Sequence, residues 1–314
     1  MSAYTFLKIW VYVIHGQEMN EKLIRFAGII YVTVLIGMSS FSTSGAEDAL
    51  KVTVSILPQK YFVQKIAGDL VDVSVMVLPG ASPATYEPKP QQMVHLTRSK
   101  IYFAMGVPFE KVWLKKFAAI NAKMVIVHTE GGIEKIPMAS VHPHDEGRHP
   151  HGIKDPHVWL SPRLVMVQAR NILDALLEVD PAHGEMYRSN YKSFIRELVA
   201  LDLKIREVFR GKREGAQFMV FHPSWGYFAK AYGLRQIPIE VEGKEPTSKG
   251  FQNLIRHAKK HDVKVIFVQP QFSTKSAKII AEEIGGQVIV ADPLGANWAK
   301  NLLNVAEKLK TAVN

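Results

Sequence analysis

Residues Asp180 to Gly211 read DPAHGEMYRSNYKSFIRELVALDLKIREVFRG. Asp180 is a good helix N-cap, Pro181 suits a first helical position because its missing N–H has no partner there anyway, and Gly211 ends the run. Tyr187, Tyr191, Phe194, Leu198, Leu201, Ile205 and Val208 recur at alternating spacings of four and three. That is an apolar stripe along one helical face of about eight turns. A coiled-coil strand would show the same period, but the chain has only one such segment. A single long helix lying along the rest of the fold is the better reading.

Working outward from this helix, the flanks resolve into two matching sets of short β-rich runs. Upstream lie Lys51 to Leu57 (KVTVSIL), Asp72 to Leu78 (DVSVMVL), Ile101 to Met105 (IYFAM) and Met124 to His128 (MVIVH). Downstream lie Gln217 to Phe221, Gln236 to Glu240, Val263 to Val268 and Gln287 to Ala291. Continuous apolar runs of this length, with helical stretches between them, describe parallel strands buried on both faces. The expected fold is α/β: two lobes, each with a four-stranded parallel sheet flanked by helices, joined by one long rigid helix. The expected boundaries are a first lobe at 47–180, a linking helix at 181–212 and a second lobe at 213–314. A continuous helix is a stiff connection, so large hinge closure is not expected.

In parallel sheets ligands sit beyond the carboxyl ends of the strands. His222 directly follows the first downstream strand, in FHPSWGYF. His157 sits in DPHVWLSP, where prolines fix the backbone and apolar neighbours flank the ring, conditions that hold an imidazole in one orientation. Two histidines from opposite lobes at one crevice suit a borderline cation such as Zn²⁺, with Mn²⁺ or Fe²⁺ admissible if carboxylates join. The chain has no cysteine, so thiolate ligation and disulfides are excluded.

Of twelve histidines in 314 residues, five fall between His142 and His157. The insert HPHDEGRHPHG carries His142, His144, His149 and His151 beside Asp145 and Glu146. Its prolines and glycines oppose a helix, so the four imidazoles are expected to collect metal at weak, exchangeable sites. The chain is 47% hydrophobic and carries a formal net charge of +10. Its basic residues are scattered singly or in pairs without interleaved aromatics, so a nucleic-acid partner is not expected.

The N-terminal region reads as an address. From Met19, basic Lys22 and Arg25 precede an apolar run from Phe26 to Met38, followed by small residues at Ser44 and Ala46. The run is short for a membrane span, which needs about 20 apolar residues. A secretory signal at 1–46, with a true start at Met19 and cleavage after Ala46, is expected. With no cysteine to carry a lipid, the mature chain is expected to be a free periplasmic protein and a monomer.

Several motifs together resemble the metal-binding subunits of ABC importers, the cluster that includes periplasmic zinc-binding and manganese-binding proteins. They are Pro79 to Pro88, DPHVWLSP at 155–162, Asp180-Pro181, FHPSWGYFAKAYG at 221–233, IEVEGKEPTSKG at 239–250, FVQPQFS at 267–273 and ADPLG at 291–295. The resemblance is closest to the zinc-type members, which also carry a charged histidine-rich loop. It implies one metal ion between two lobes, delivered to an inner-membrane ABC permease, with His157 and His222 matching two family ligands. Two departures follow. The family's Ser-Pro-His turn reads Ser82-Pro83-Ala84 here, and the segment where manganese-type members place a carboxylate shows Gln269, Gln271, Phe272 and Ser273. The candidates to complete the shell are Glu87, Gln269, Gln271 or a histidine of the insert, and Glu87 also reads as an acid stabilised at a helix start.

The same residues bear on two other functions. A metallohydrolase needs a general base and a motif such as His-Glu-x-x-His, and neither that nor a Gly-x-Ser-x-Gly elbow is present, so no enzyme is expected. The other alternative keeps the fold with a changed or lost metal site, serving Mn²⁺ or Fe²⁺ or acting as an adhesin. Glu240, Glu242 and Glu245 read either as a secondary metal contact or as solvated turn charge.

Overall fold

The computed structural model describes residues 49–139, 153–240 and 244–313. The leader at 1–46 and the histidine-rich loop at 142–152 therefore lie outside the described residues, as does Glu242. Residues 49–314 cluster as one unit.

In the first lobe β1 (Leu50–Val54), β2 (Val71–Val75), β3 (Ile101–Ala104) and β4 (Val125–His128) form a parallel sheet in the order β2-β1-β3-β4. The second lobe repeats it with β5 (Ala216–Val220), β6 (Leu234–Pro238), β7 (Val265–Val268) and β8 (Gln287–Val290), in the order β6-β5-β7-β8. All eight anticipated strands are present, each ending up to three residues before the apolar run does. In each sheet the connections from the two central strands leave in opposite directions. Their carboxyl ends therefore open a crevice, the place where open α/β sheets take ligands.

Strand burial departs from the expectation at the edges. The central strands β1, β3, β5 and β7 are mostly or wholly buried, but the ends of β4 and β8 are exposed, with Val290 half exposed. Both are outermost in their sheets, and an edge strand has solvent on one side whatever its side chains.

The helices of the first lobe are α1 (Leu57–Ala67), α2 (Pro90–Leu96), α3 (Glu110–Ile120) and α4 (Pro162–Val179). The long connection is α5 (Gly184–Val208), 25 residues or about seven turns. Its stripe is buried except at Tyr191, and it packs on α1 and α4 of the first lobe and on the second lobe's C-terminal helix α9 (Trp298–Ala312). One detail of its start differs from the sequence reading. Pro181–His183 form a separate 3₁₀ turn, and the Asp180 carboxylate caps no backbone N–H. It accepts from His183 Nδ1 at 2.8 Å and from the Tyr187 hydroxyl, so side chains outcompete the amides for it.

Between α5 and α9 come α6 (Gly226–Ala231), α7 (Ser248–Lys260) and α8 (Lys275–Glu283). One hydrophobic core runs through both lobes, and a second, smaller one lies within the second lobe. The lobes are joined by more than α5. Trp159 Nε1 donates to the Pro293 carbonyl at 2.8 Å, and Trp298 Nε1 donates to the Trp159 carbonyl at 2.8 Å. Both indoles are buried, and Trp298 also meets the Phe62 ring at 5.0 Å. Tyr227 donates to the Asp155 carbonyl at 2.9 Å and accepts from the Ile136 N–H at 3.1 Å. On α5 itself, Asp202 accepts from Arg163 of the first lobe and from Tyr232 of the second.

Candidate metal centre

The cleft between the lobes is built from strand-end loops. His222 follows β5, Gln269 follows β7, and the turn at 79–90 follows β2. That turn is held firmly. Tyr86 donates to Gln92 Oε1 at 2.7 Å, and the Gln92 amide reaches the carbonyls at the end of β2. The Phe109 N–H donates to the Pro83 carbonyl at 3.2 Å, which fixes Ala84 beside the loop after β3. Beneath that loop, buried Glu110 accepts from the Met105 and Gly106 N–H groups at 2.9 and 2.7 Å and from the Ser55 hydroxyl.

His157 and His222 face each other across the cleft, with ring centres 5.2 Å apart. Each is held from behind by a buried carboxylate. His157 Nδ1 donates to Asp155 Oδ1 at 2.7 Å, and the same oxygen accepts the His157 backbone N–H at 2.9 Å. His222 Nδ1 donates to Glu240 Oε1 at 2.7 Å. Asp155 is fully buried and Glu240 nearly so. A carboxylate at Nδ1 fixes the tautomer that leaves Nε2 as a bare donor, the arrangement found behind metal-bound histidines. Rotation is restrained as well, because Phe272 stacks on His222 at 4.9 Å and Trp159 lies 5.1 Å from His157. Burial pulls the His157 pKa below its ordinary value, with Asp155 opposing, so its ring is held available for a cation.

Neither carboxylate was assigned this role from sequence. In the sequence Asp155 stands out only as part of the DPHVWLSP motif, and Glu240 reads as a secondary metal contact or as solvated charge. The structure replaces that reading of Glu240 with a buried partner for His222, and places Glu245 at the surface against Ser276. A signal existed for Asp155: an acid two residues before a candidate ligand, with a proline between. Glu240 has none of that kind, since 18 residues separate it from His222.

The remaining candidates divide sharply. Glu87 is exposed, is not among the cleft-lining residues, and precedes α2 by three residues, so it lies outside the helix's first turn. Gln269 is buried with both ends of its amide engaged: Oε1 accepts the His222 N–H at 3.2 Å, and Nε2 donates to the His222 carbonyl at 2.7 Å and to Ser224 at 3.1 Å. It shapes the His222 backbone. Gln271 lines the cleft, as does Ala84. Its Nε2 donates to Asp292 Oδ1 at 3.1 Å, while its Oε1 is buried with no partner. Among the described residues, no group of three or more His, Asp or Glu side chains converges as a metal cluster. Outside the cleft, His95 and His128 are exposed, and at the end of α7 the rings of His257 and His261 lie 4.4 Å apart with His257 bonded to Gln217.

Twin parallel α/β lobes, a rigid helical connection and an imidazole-lined cleft define a two-lobed binding protein with its ligand site at the lobe junction. Residues 52–312 match the family model for the periplasmic component A of zinc-uptake complexes, ZnuA, and the chain belongs to that family. It is 31% identical over 266 residues to the high-affinity zinc uptake system protein ZnuA of Bacillus subtilis, covering 81% of this chain and 82% of that one. A crystal structure of ZnuA superposes with a TM-score of 0.78 at 43% identity, covering 84% of this chain and 99% of that one. A more distant relative, the iron-binding protein YfeA of Yersinia pestis, is 27% identical over 86% of this chain and 88% of its own length.

Proposed function

We propose that this protein captures Zn²⁺ in the cleft through Nε2 of His157 and His222 and delivers it to an inner-membrane ABC permease. The observation that carries the reading is the pair of imidazoles, each held at Nδ1 by a buried carboxylate, with ring centres 5.2 Å apart. A tetrahedral zinc about 2.1 Å from each Nε2 lies roughly 3.2 Å from each ring centre, which sets the two centres about 5.2 Å apart. Membership of the zinc-uptake family supports the same cargo, and the iron-binding relative marks Fe²⁺ or Mn²⁺ as the competing ions. Carriage rather than turnover fits the chemistry, because Asp155 and Glu240 are both occupied by histidine and neither is placed to act as a general base toward the cleft.

Export through the leader at 1–46 would bring the mature, monomeric chain to the periplasm. There the histidines at 142, 144, 149 and 151 would gather metal for the cleft. Calorimetric titration of the metal-free protein with Zn²⁺ and Mn²⁺ tests the proposal. One tight zinc event per chain, abolished by His157→Ala and by His222→Ala, is expected. Deletion of residues 142–152 should remove weak stoichiometry and leave the tight event. The absence of saturable zinc binding would refute the reading.

A further inference from the structure

Two imidazoles leave a tetrahedral ion two donors short, and Ala84 presents only a methyl group where the family turn carries a histidine. The structure assigns the third protein donor to the side-chain oxygen of Gln271, giving this chain an N₂O set in place of three imidazoles. The inference rests on the zinc reading above and deepens it.

Its basis is the orientation of one amide. The two ends of a glutamine amide differ only in what they can bond, and here the neighbour decides between them. Asp292 Oδ1 accepts from Gln271 Nε2 at 3.1 Å and is itself fixed by the Leu294 N–H at 2.9 Å. A reversed amide would set its oxygen against that carboxylate, so the nitrogen end must face Asp292. Oε1 is thereby directed the other way, where it is buried and accepts no hydrogen bond. A buried carbonyl oxygen without a donor is disfavoured unless something electropositive completes it. Gln271 shares the cleft wall with His157 and His222, and the next residue, Phe272, is the ring stacked on His222. Of the other candidates among the described residues, Gln269 turns its amide to the His222 backbone and to Ser224, and Glu87 is not among the cleft-lining residues; the histidines of the insert lie outside the described residues.

The consequence is a change in selectivity. An amide oxygen is a harder and weaker donor than imidazole, so an N₂O site discriminates less between Zn²⁺ and Mn²⁺ than a three-histidine site does.

Chelator-competition measurements of zinc affinity on the full chain test this, together with melting of the metal-free protein. Gln271→Leu should weaken zinc at least tenfold while lowering the metal-free melting temperature by no more than the loss of its one hydrogen bond to Asp292 accounts for. Ala84→His supplies a third imidazole and should raise the Zn²⁺ to Mn²⁺ affinity ratio. In the Ala84→His background, Gln271→Leu should then cost less than threefold, the coupling expected if the two side chains serve one coordination position. The ¹³C carbonyl resonance of Gln271, identified by its loss in Gln271→Leu, should shift when zinc is added. If Gln271→Leu binds zinc within twofold of the parent while His222→Ala does not bind, Gln271 is no ligand and the two-histidine reading stands. If the parent chain itself shows no saturable zinc binding, both are overturned.

Discussion

Replacing Glu240 with glutamine keeps the shape of the side chain and removes its charge, which isolates what the carboxylate does for His222. In the structure Glu240 Oε1 accepts from Nδ1 at 2.7 Å, and the acid is 4% exposed, so the contact is a desolvated, charge-assisted hydrogen bond. Such bonds are worth about 1.5–3 kcal/mol, against about 0.5–1.5 for a neutral pair. The glutamine can still present its oxygen to Nδ1–H, so the tautomer survives but the ring becomes a poorer base. If it presents its nitrogen instead, the proton moves to Nε2 and the metal-facing lone pair is lost. Either route lowers zinc affinity, and loss of a carboxylate behind a metal-bound histidine typically costs about 10–100-fold. Glu240→Gln is therefore expected to weaken zinc about tenfold and Glu240→Ala about a hundredfold, since the alanine leaves the ring unrestrained. Competition against a chelator of known affinity reads the ratio directly. Melting of the metal-free variants separates this from misfolding, because the fold should tolerate loss of one buried acid. Equal affinity in Glu240→Gln and the parent, with His222→Ala failing to bind, would refute the claim that the carboxylate tunes the ligand.

Three further expectations follow from neighbouring contacts. A Cβ on Gly226 would stand 2.6 Å from Asp155 Oδ2 and 3.0 Å from Gln236 Nε2, so Gly226→Ala should displace the Asp155–His157 pair and lower zinc affinity together with stability, by about 1–3 kcal/mol on a denaturation curve. Trp298→Phe removes the donor to the Trp159 carbonyl and leaves that buried oxygen unpaired, at a cost of about 1–3 kcal/mol in chemical denaturation. Because burial holds the His157 pKa below the ordinary 6.5, the unfolded chain takes up its proton first. The stability this group contributes is present above that value and is lost as pH falls through the folded pKa, so metal-free stability should drop on acidification and drop less in His157→Gln.

The lobes and the linking helix were legible because burial imposes a period on sequence. The stripe from Tyr187 to Val208 and the eight apolar runs each encode one buried surface, and all of them became elements. Edge position is not encoded locally, so β4 and β8 looked as buried as the central strands. His222 was singled out as the residue after a strand end and His157 by the prolines and apolar neighbours around it, and the structure brings the two rings to one cleft. What escaped was the layer behind the imidazoles, since Glu240 meets His222 only because the parallel pairing of β5 and β6 brings together residues 18 positions apart.

The connections between the lobes constrain how cargo can leave. Two indole hydrogen bonds, from Trp159 to the Pro293 carbonyl and from Trp298 to the Trp159 carbonyl, cross the junction with the Tyr227 bridge and the Asp202 hub, in addition to α5. Opening the cleft as a hinge would break each of them and expose two buried tryptophans, whose burial alone is worth several kcal/mol. A ligand can drive such a motion only through its differential affinity for the two states, and two or three bonds to one ion at the cleft are made by loops rather than by lobes. Scattering profiles of metal-free and zinc-loaded protein should therefore superimpose, with zinc ordering confined to the loops carrying Ala84, His222 and Gln271. A change in radius of gyration of several per cent on zinc binding would show that the junction yields, and would overturn the rigid-body reading of the connection.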